Sequence, residues 1–162
     1  MGHFDTAQVC NNGHVITYTA GDHPQFQRKF CPTCGEATIM QCPSCNATIP
    51  GKYHADGVIS LRKYSPPPPT FCPECGKPFP WTQRKIQNAI ELANEFDELE
   101  PADREKLSLT LDDLIVETPK TELAVTRFKK VAKKLGKDSY EAFKSVVTDL
   151  VSETIKKSLF GP

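Results

Sequence analysis

The spacing of the cysteines constrains the fold of this chain more than any other feature. All seven cysteines lie between residues 10 and 75, and six of them form three Cys-x-x-Cys pairs. Such a turn lets two thiolates bind one tetrahedral ion. The remaining cysteine precedes a histidine, with three residues between them. The pattern therefore supplies eight donors, enough for two four-coordinate sites: Cys10, His14, Cys31, Cys34, Cys42, Cys45, Cys72 and Cys75.

These donors predict two bound zinc ions per chain, because thiolates and imidazoles are the usual ligands of structural zinc. In a reducing cytosol, Cys-x-x-Cys pairs favour metal over disulfides. The N-terminus lacks the basic and apolar segments of a secretory signal. No apolar stretch approaches the roughly 20 residues that a membrane crossing needs. We therefore expect a cytoplasmic protein without membrane association.

Two arrangements of the four pairs are open. In sequential pairing, the first pair shares an ion with the second, and the third with the fourth, which gives two zinc ribbons. In a cross-brace, as in RING domains, the first pair joins the third and the second joins the fourth. We expect sequential pairing, because seven residues separate Cys34 from Cys42 and no histidine begins the third pair. His23 and His54 are alternatives to His14, but neither lies in a cysteine-containing turn.

Residues 1–80 read as short strands and turns with few large apolar side chains. We also expect a hairpin over residues 53–64. A region of this size and composition does not bury enough apolar surface to be stable alone. Structural zinc contributes roughly 10–16 kcal/mol of apparent binding free energy per site. We therefore predict that residues 1–80 lose their fold without metal.

After Trp81 the apolar pattern changes to a helical period. We expect Thr82 to cap the first helix and Trp81 to pack on Ile86 as a hydrophobic staple. The fold class is therefore predicted as α+β, with a small double zinc ribbon followed by about four helices. The corresponding domains are residues 1–81, the double zinc ribbon, and 82–162, a helical region for packing or oligomerisation.

The later helices carry boundary signals of their own. Pro101 suits the first turn of the second helix, and Thr118 precedes the third, which Gly136 is expected to end. Asp138 begins a sequence that resembles a capping box for the fourth. The last helix is apolar around a broad arc, which predicts burial inside a bundle or against another subunit: Tyr140, Phe143, Val146, Val147, Leu150, Val151, Ile155 and Leu159.

Charge is segregated within the helical half. Residues 83–117 carry ten acidic and four basic side chains, a net of −6, whereas residues 118–162 carry ten basic and five acidic, a net of +5. The basic residues are densest on the third helix and just after it: Arg127, Lys129, Lys130, Lys133, Lys134 and Lys137. One interpretation is that they contact a nucleic-acid backbone. The preferred interpretation is a solvated face attracted to the acidic helices.

The cysteine-containing segments resemble a family of small bacterial proteins known as a domain of unknown function. The resemblance lies in Val9-Cys10-Asn-Asn-Gly13-His14, Phe30-Cys31-Pro-Thr-Cys34-Gly35, Cys42-Pro-Ser-Cys45 and Phe71-Cys72-Pro-Glu-Cys75-Gly76-Lys-Pro78-Phe-Pro80-Trp81-Thr82. It implies paired zinc knuckles with a helical tail, bacterial origin and metal binding at the eight donors. It implies no enzyme activity.

We interpret the chain as a non-enzymatic zinc-binding protein, an adaptor or protein-interaction module with a self-associating helical tail. A protein partner or a homo-oligomer is expected, and no small-molecule substrate. The alternative is a nucleic-acid-binding zinc ribbon that uses the basic third helix. An enzyme is a third hypothesis, but eight donors for two ions leave no open position for water. Asp112 and Asp113 form a carboxylate pair without a histidine nearby in sequence.

Overall fold

A computed structural model describes residues 2–58 and 65–161. The chain forms two compact units, Met1–Gln83 and Arg84–Pro162, and its class is α+β, as predicted. The prediction that residues 1–81 and 82–162 are separate domains concerns independent folding, and it stays a prediction. Among the described residues, no helix combines the length and the apolar character needed to cross a membrane.

The first unit contains two small antiparallel sheets. Strand β1 (His3–Thr6) pairs with β5 (Pro50–His54), and the register places Phe4 opposite Tyr53. Strand β2 (Gln8–Cys10) lies between β3 (Val15–Thr17) and β4 (Thr38–Ile39). Within the predicted hairpin over residues 53–64, Tyr53 and His54 end β5 and pair with β1. Residues 59–64 of that prediction lie outside the described residues.

The three Cys-x-x-Cys segments fold into the same knuckle. In each, the first cysteine's N–H donates to the carbonyl five residues later, at Glu36, Ala47 or Lys77, over 2.8 to 2.9 Å. A short antiparallel bridge flanks each knuckle. The residue after the second cysteine has positive φ: Gly35 at 72°, Gly76 at 71° and Asn46 at 61°. Asparagine tolerates this conformation better than most residues, which explains a knuckle without glycine.

The apolar core of the first unit is small, as the composition predicts. Its largest members are Phe79 and Trp81, whose rings stack with centroids 4.6 Å apart. The buried cluster contains two of the cysteines: Ala7, Val9, Cys42, Ile49, Cys72, Phe79 and Trp81. Cysteine thus contributes to packing here as well as to the candidate sites.

The described residues contain five helices where about four were predicted: α1 Pro80–Asn94, α2 Pro101–Leu114, α3 Thr121–Ala132, α4 Lys137–Thr148 and α5 Glu153–Phe160. The last predicted helix is divided in two, because Ser152 begins a new helix and its hydroxyl accepts from the Ile155 N–H at 3.4 Å. Their core is continuous and contains Leu107, Phe128 and Phe143. Phe143 stacks on Phe128 with ring centroids 5.7 Å apart.

Some predicted helix ends were wrong. Helix α1 begins at Pro80, so Thr82 is not its cap, and the Thr82 hydroxyl donates to the Thr70 carbonyl at 2.8 Å. Trp81 packs within the core of the first unit, and the predicted staple onto Ile86 stays a prediction. The Trp81 Nε1–H donates to the Pro69 carbonyl at 2.9 Å. The side chains of Trp81 and Thr82 therefore bond to carbonyls 12 residues earlier in the chain, and Thr82 does not form the predicted cap.

The boundary between α3 and α4 was also placed incorrectly. Gly136 was expected to end the third helix, but it is the N-cap of α4, with φ −63°. Asp138 lies in the first turn of α4 and is not its N-cap. The carboxylate of Glu98 supplies the acceptor at this end, since its Oε1 accepts from the Gly136 N–H at 3.3 Å and from the Ser139 hydroxyl at 2.8 Å. Glu98, which is distant in sequence, therefore takes the place of the capping box that was expected at Asp138.

The broad apolar arc of the last predicted helix is used inside the chain. Its eight residues are all buried in, or packed against, the helical core. Phe143 and Val147 of α4 are 0% exposed, and Ile155 of α5 is 1% exposed. The width of the arc is therefore explained without another subunit.

Candidate metal centres

The first candidate centre consists of Cys10, His14, Cys31 and Cys34, whose donor atoms converge. The Nδ1 atom of His14 lies 3.5 Å from Cys10 Sγ, 3.7 Å from Cys31 Sγ and 3.3 Å from Cys34 Sγ. The Sγ atoms of Cys10 and Cys34 are 3.8 Å apart. Cys10 at the end of β2 and Cys31 are buried, whereas His14 and Cys34 face solvent.

The second candidate centre contains four cysteines from two knuckles, Cys42, Cys45, Cys72 and Cys75. The Sγ atoms of Cys42 and Cys75 are 3.8 Å apart, and those of Cys45 and Cys72 are 3.7 Å apart. Cys42 and Cys72 belong to the apolar core of the first unit. This centre is therefore continuous with the packing of the unit.

These separations fit two tetrahedral ions. Bonds of about 2.3 Å to sulfur and 2.0–2.1 Å to nitrogen place two sulfurs about 3.8 Å apart, and a sulfur about 3.6 Å from a nitrogen. All seven cysteines are free, and the quoted sulfur separations greatly exceed a disulfide bond of about 2.05 Å. The groups combine the first pair with the second and the third with the fourth. This is the sequential arrangement, and the cross-brace is not what the structure shows.

Backbone and side-chain N–H groups donate hydrogen bonds to the sulfurs of the first centre. The N–H of His14 donates to Cys10 Sγ at 3.3 Å. The Asn12 side chain donates to Cys34 Sγ at 3.4 Å. Such bonds favour the thiolate and orient the ligand. Asn12 was not among the predicted site residues, although its position between Cys10 and His14 in the sequence was a signal for it.

Hydrogen bonds to the sulfurs and the closeness of neighbouring thiols both shift the pKa values of the cysteines. The N–H of Glu36, with the Asn12 amide, lowers the pKa of Cys34 to about 6. The N–H of Ser44 lowers the pKa of Cys42 to about 7. The N–H of Ala47 acts in the same direction on Cys45, but desolvation and the three neighbouring thiols raise its pKa to about 12. Four sulfurs this close oppose one another's ionisation, and a dication between them favours the thiolates.

The other residues singled out by the sequence lie outside both centres. His23 is exposed, and its ring contacts Phe26. His54 lies beside two carboxylates in the first unit. Of the basic cluster, Lys134 forms an ion pair with the buried Asp103 of α2, with 2.6 Å between Nζ and Oδ2. The attraction predicted between the third helix and the acidic helices is thus present for this residue.

Comparison with known proteins adds a family relationship. A search of curated proteins found no match, and a search of solved structures found none. A family model described as "Uncharacterized protein conserved in bacteria (DUF2321)" matches residues 3–159. The match covers both candidate centres, helices α1 to α4 and all of α5 except its last residue, and the chain therefore belongs to this family of bacterial proteins.

Proposed function

We propose that this protein is a non-enzymatic zinc-binding protein in which two structural ions hold the first unit in shape. One observation carries the proposal: the eight donors form two sets of four with the spacing of tetrahedral ligands. Four protein ligands saturate a zinc ion, which is typical of structural sites, whereas catalytic sites keep a position for water. Neither of these two centres has such a position.

The donor set favours zinc over other ions. Sulfur-rich tetrahedral sites take zinc or iron, whereas calcium and magnesium require oxygen ligands. The first centre mixes three thiolates with the imidazole of His14, which is a common structural zinc set. Elemental analysis of the protein isolated from its native cells tests this assignment. We expect two zinc ions per chain, and a preparation with fewer than two bound metals, or with iron, would contradict the proposal.

The interaction role is supported by exposed aromatic residues on the first unit. Phe4 on β1 is 61% exposed and Tyr53 on β5 is 50% exposed. Their rings are cross-strand neighbours with centroids 4.9 Å apart. Paired exposed aromatic side chains are typical anchors of protein interfaces. We infer that they contact a protein partner with an apolar recess.

A pull-down from bacterial extract tests this surface. It compares the partners captured by the zinc-loaded protein with those captured by a Phe4→Ser/Tyr53→Ser variant. We expect the variant to lose the partner while it keeps its metal content. Phe26→Ser is a matched control, because Phe26 is 51% exposed and lies outside this pair. Equal capture by all three proteins would contradict the assignment of this surface.

We also propose that the helical tail self-associates, but through exposed residues and not through the apolar arc of the last helices. The broad arc of the last helices is used inside the chain, so an interface would involve exposed residues such as Leu109 of α2, at 65%, and Leu123 of α3, at 49%. Light scattering of the full chain and of a Leu109→Ser/Leu123→Ser variant tests it. A monomeric wild-type chain would contradict self-association, and the interaction role would then require a different protein as partner.

The second candidate function is nucleic-acid binding, favoured by the exposure of the basic side chains on α3 and after it. Arg127, Lys129, Lys130 and Lys133 are exposed, and a Lys129→Glu/Lys130→Glu/Lys133→Glu variant reverses three charges there. If the function is correct, this variant loses affinity and the wild-type affinity falls steeply with salt. Absence of binding to DNA and RNA at low salt would eliminate it.

A further inference from the structure

A third group of metal-ligand side chains lies in the first unit, separate from the two cysteine centres. Asp5, Asp22 and His54 bring one carboxylate oxygen each and an imidazole nitrogen within 4.8 Å of one another. The His54 Nε2 atom is 3.6 Å from Asp22 Oδ2 and 4.0 Å from Asp5 Oδ2. Strand pairing supports this arrangement, because His54 ends β5 beside β1, which carries Asp5.

Asp5 is held firmly in a buried position. Its side chain is 2% exposed, and its Oδ1 atom accepts from the Gly21 N–H at 2.9 Å. The approach is so close that a Cβ added at Gly21 would lie 2.7 Å from Oδ1. With Oδ1 engaged in this way, Oδ2 is directed towards the imidazole. The Asp22 N–H, 3.4 Å from both carboxylate oxygens, also fixes the group.

The imidazole nitrogen between the carboxylates has no hydrogen-bond partner. His54 Nε2 is shielded from solvent, and no donor or acceptor among the described residues bonds to it. Its distances to the two carboxylate oxygens exceed the 3.2 Å limit of ordinary N–H···O bonds. A buried polar atom left without a partner is unfavourable. The arrangement therefore calls for a species between the three side chains.

We propose that Asp5, Asp22 and His54 form a third cation site, which binds a divalent first-row ion such as Mn²⁺ or Zn²⁺. Ligands about 2.1 Å from one ion lie about 3.4 Å apart in a tetrahedron and about 4.2 Å apart when opposite one another. The observed 3.6 and 4.0 Å lie within this range. The imidazole disfavours calcium and magnesium, and the carboxylates suit harder ions than the thiolate centres do.

This site differs from the cysteine centres in having an open position. Three protein ligands do not saturate a four- or six-coordinate ion, so water or an external ligand completes the shell. Asp22 is also accessible, with 49% of its side chain exposed. The third ion is therefore exchangeable, whereas the first two are enclosed by protein donors.

Titration of the zinc-loaded full chain with Mn²⁺, followed by electron paramagnetic resonance of the free ion, tests the proposal. Mn²⁺ stands lowest in the divalent affinity order, so it leaves zinc in the thiolate centres. A parallel Zn²⁺ titration by native mass spectrometry looks for a third ion. We expect one additional ion per chain in the wild type. Asp22→Asn and His54→Gln should each weaken its binding at least tenfold, because even outer contacts of a ligand contribute 10–100-fold.

His23→Gln and Asp97→Asn are matched controls, since both residues are exposed and lie outside the cluster. Both should bind the third ion as the wild type does. Asp5→Asn is a second test, and Asp22→Asn keeps the proposal falsifiable if the buried substitution prevents folding. The proposal is overturned if the wild type takes up neither ion beyond two zinc ions. It is also overturned if Asp22→Asn and His54→Gln bind unchanged, or if a crystal grown with Mn²⁺ shows only an ion pair.

Discussion

At the scale of single residues, each candidate cysteine centre consists of four donors. The donors converge because each pair comes from one turn, and a site that lost one donor would hold its ion with only three protein ligands. Cys45 is exposed, so replacing it does not disturb the apolar core. A substitution at Cys45 therefore tests metal ligation alone.

Cys45→Ser should reduce the zinc content from two ions per chain to one and destabilise the first unit. The serine oxygen has nearly the same size, but it does not ionise as the thiol does, so the loss is one of ligation. Elemental analysis and thermal unfolding measure the two effects. Ser44→Ala is the control, because the knuckle uses the Ser44 backbone N–H. Retention of two ions by Cys45→Ser would argue against ligation by this residue.

The helical core depends on residues of another kind. Phe143 is 0% exposed and contacts both Phe128 and Phe96, with ring centroids 5.7 and 5.9 Å apart. Phe143→Ala should lower the free energy of unfolding of the helical unit by about 3–5 kcal/mol, because it leaves a cavity. Denaturant unfolding followed by circular dichroism measures the change. The exposed Glu105→Ala on α2 should stay within about 0.5 kcal/mol of wild type, and an equal loss in both would contradict this account.

At the scale of elements, helix ends depend on partners distant in sequence. Helix α4 has Gly136 as its N-cap, and Glu98 after α1 supplies the acceptor. The charge also suits this end of a helix, where the dipole favours an anion. The backbone N–H of Glu98 itself and the Ser139 hydroxyl lower the pKa of Glu98 below its usual value.

This lowered pKa gives a pH-dependent prediction. A carboxyl with a lower pKa when folded stabilises the protein above its unfolded pKa, and the effect is lost as the pH falls through the folded pKa. Glu98→Gln should therefore lower the melting temperature of the helical unit at pH 7. The difference from wild type should shrink as the pH falls below the ordinary pKa of 4.5. A difference independent of pH would show that the charge is not responsible.

At the scale of the whole molecule, the two units have different sources of stability. The first buries a small cluster that includes two cysteines. The second has a larger core drawn from all five helices. A unit with so little apolar burial is predicted to depend on bound ions, because structural zinc contributes roughly 10–16 kcal/mol per site. The second unit has no cysteine among its 79 residues.

Removal of zinc by a chelator should therefore unfold the first unit and leave the helices intact. We expect the helical circular dichroism signal to persist, while amide resonances of residues such as Val9 and Ile49 collapse towards random-coil positions. Addition of zinc should restore them. Unchanged Val9 and Ile49 resonances in the metal-free protein would contradict the predicted dependence of residues 1–80 on metal.

The sequence by itself determined the eight donors and the approximate positions of most helices, because both signals are local. A Cys-x-x-Cys turn brings two sulfurs together whatever surrounds it. A run such as Leu107, Leu111 and Leu114 indicates a buried helix face from its period alone. Residues separated by a few positions settle such features. The structure brings the eight side chains into two groups of four and forms helices in most of the predicted segments.

Only the tertiary structure decided which residues distant in sequence meet. It joined Asp5, Asp22 and His54, gave Glu98 the role expected of Asp138, and used the apolar arc of the last helices inside the chain. These contacts depend on strand pairing and helix packing, which no local spacing encodes. The eight candidate donors were predictable because each pair comes from neighbours in sequence, whereas the cluster of Asp5, Asp22 and His54 was not, because its members converge only after the chain has folded.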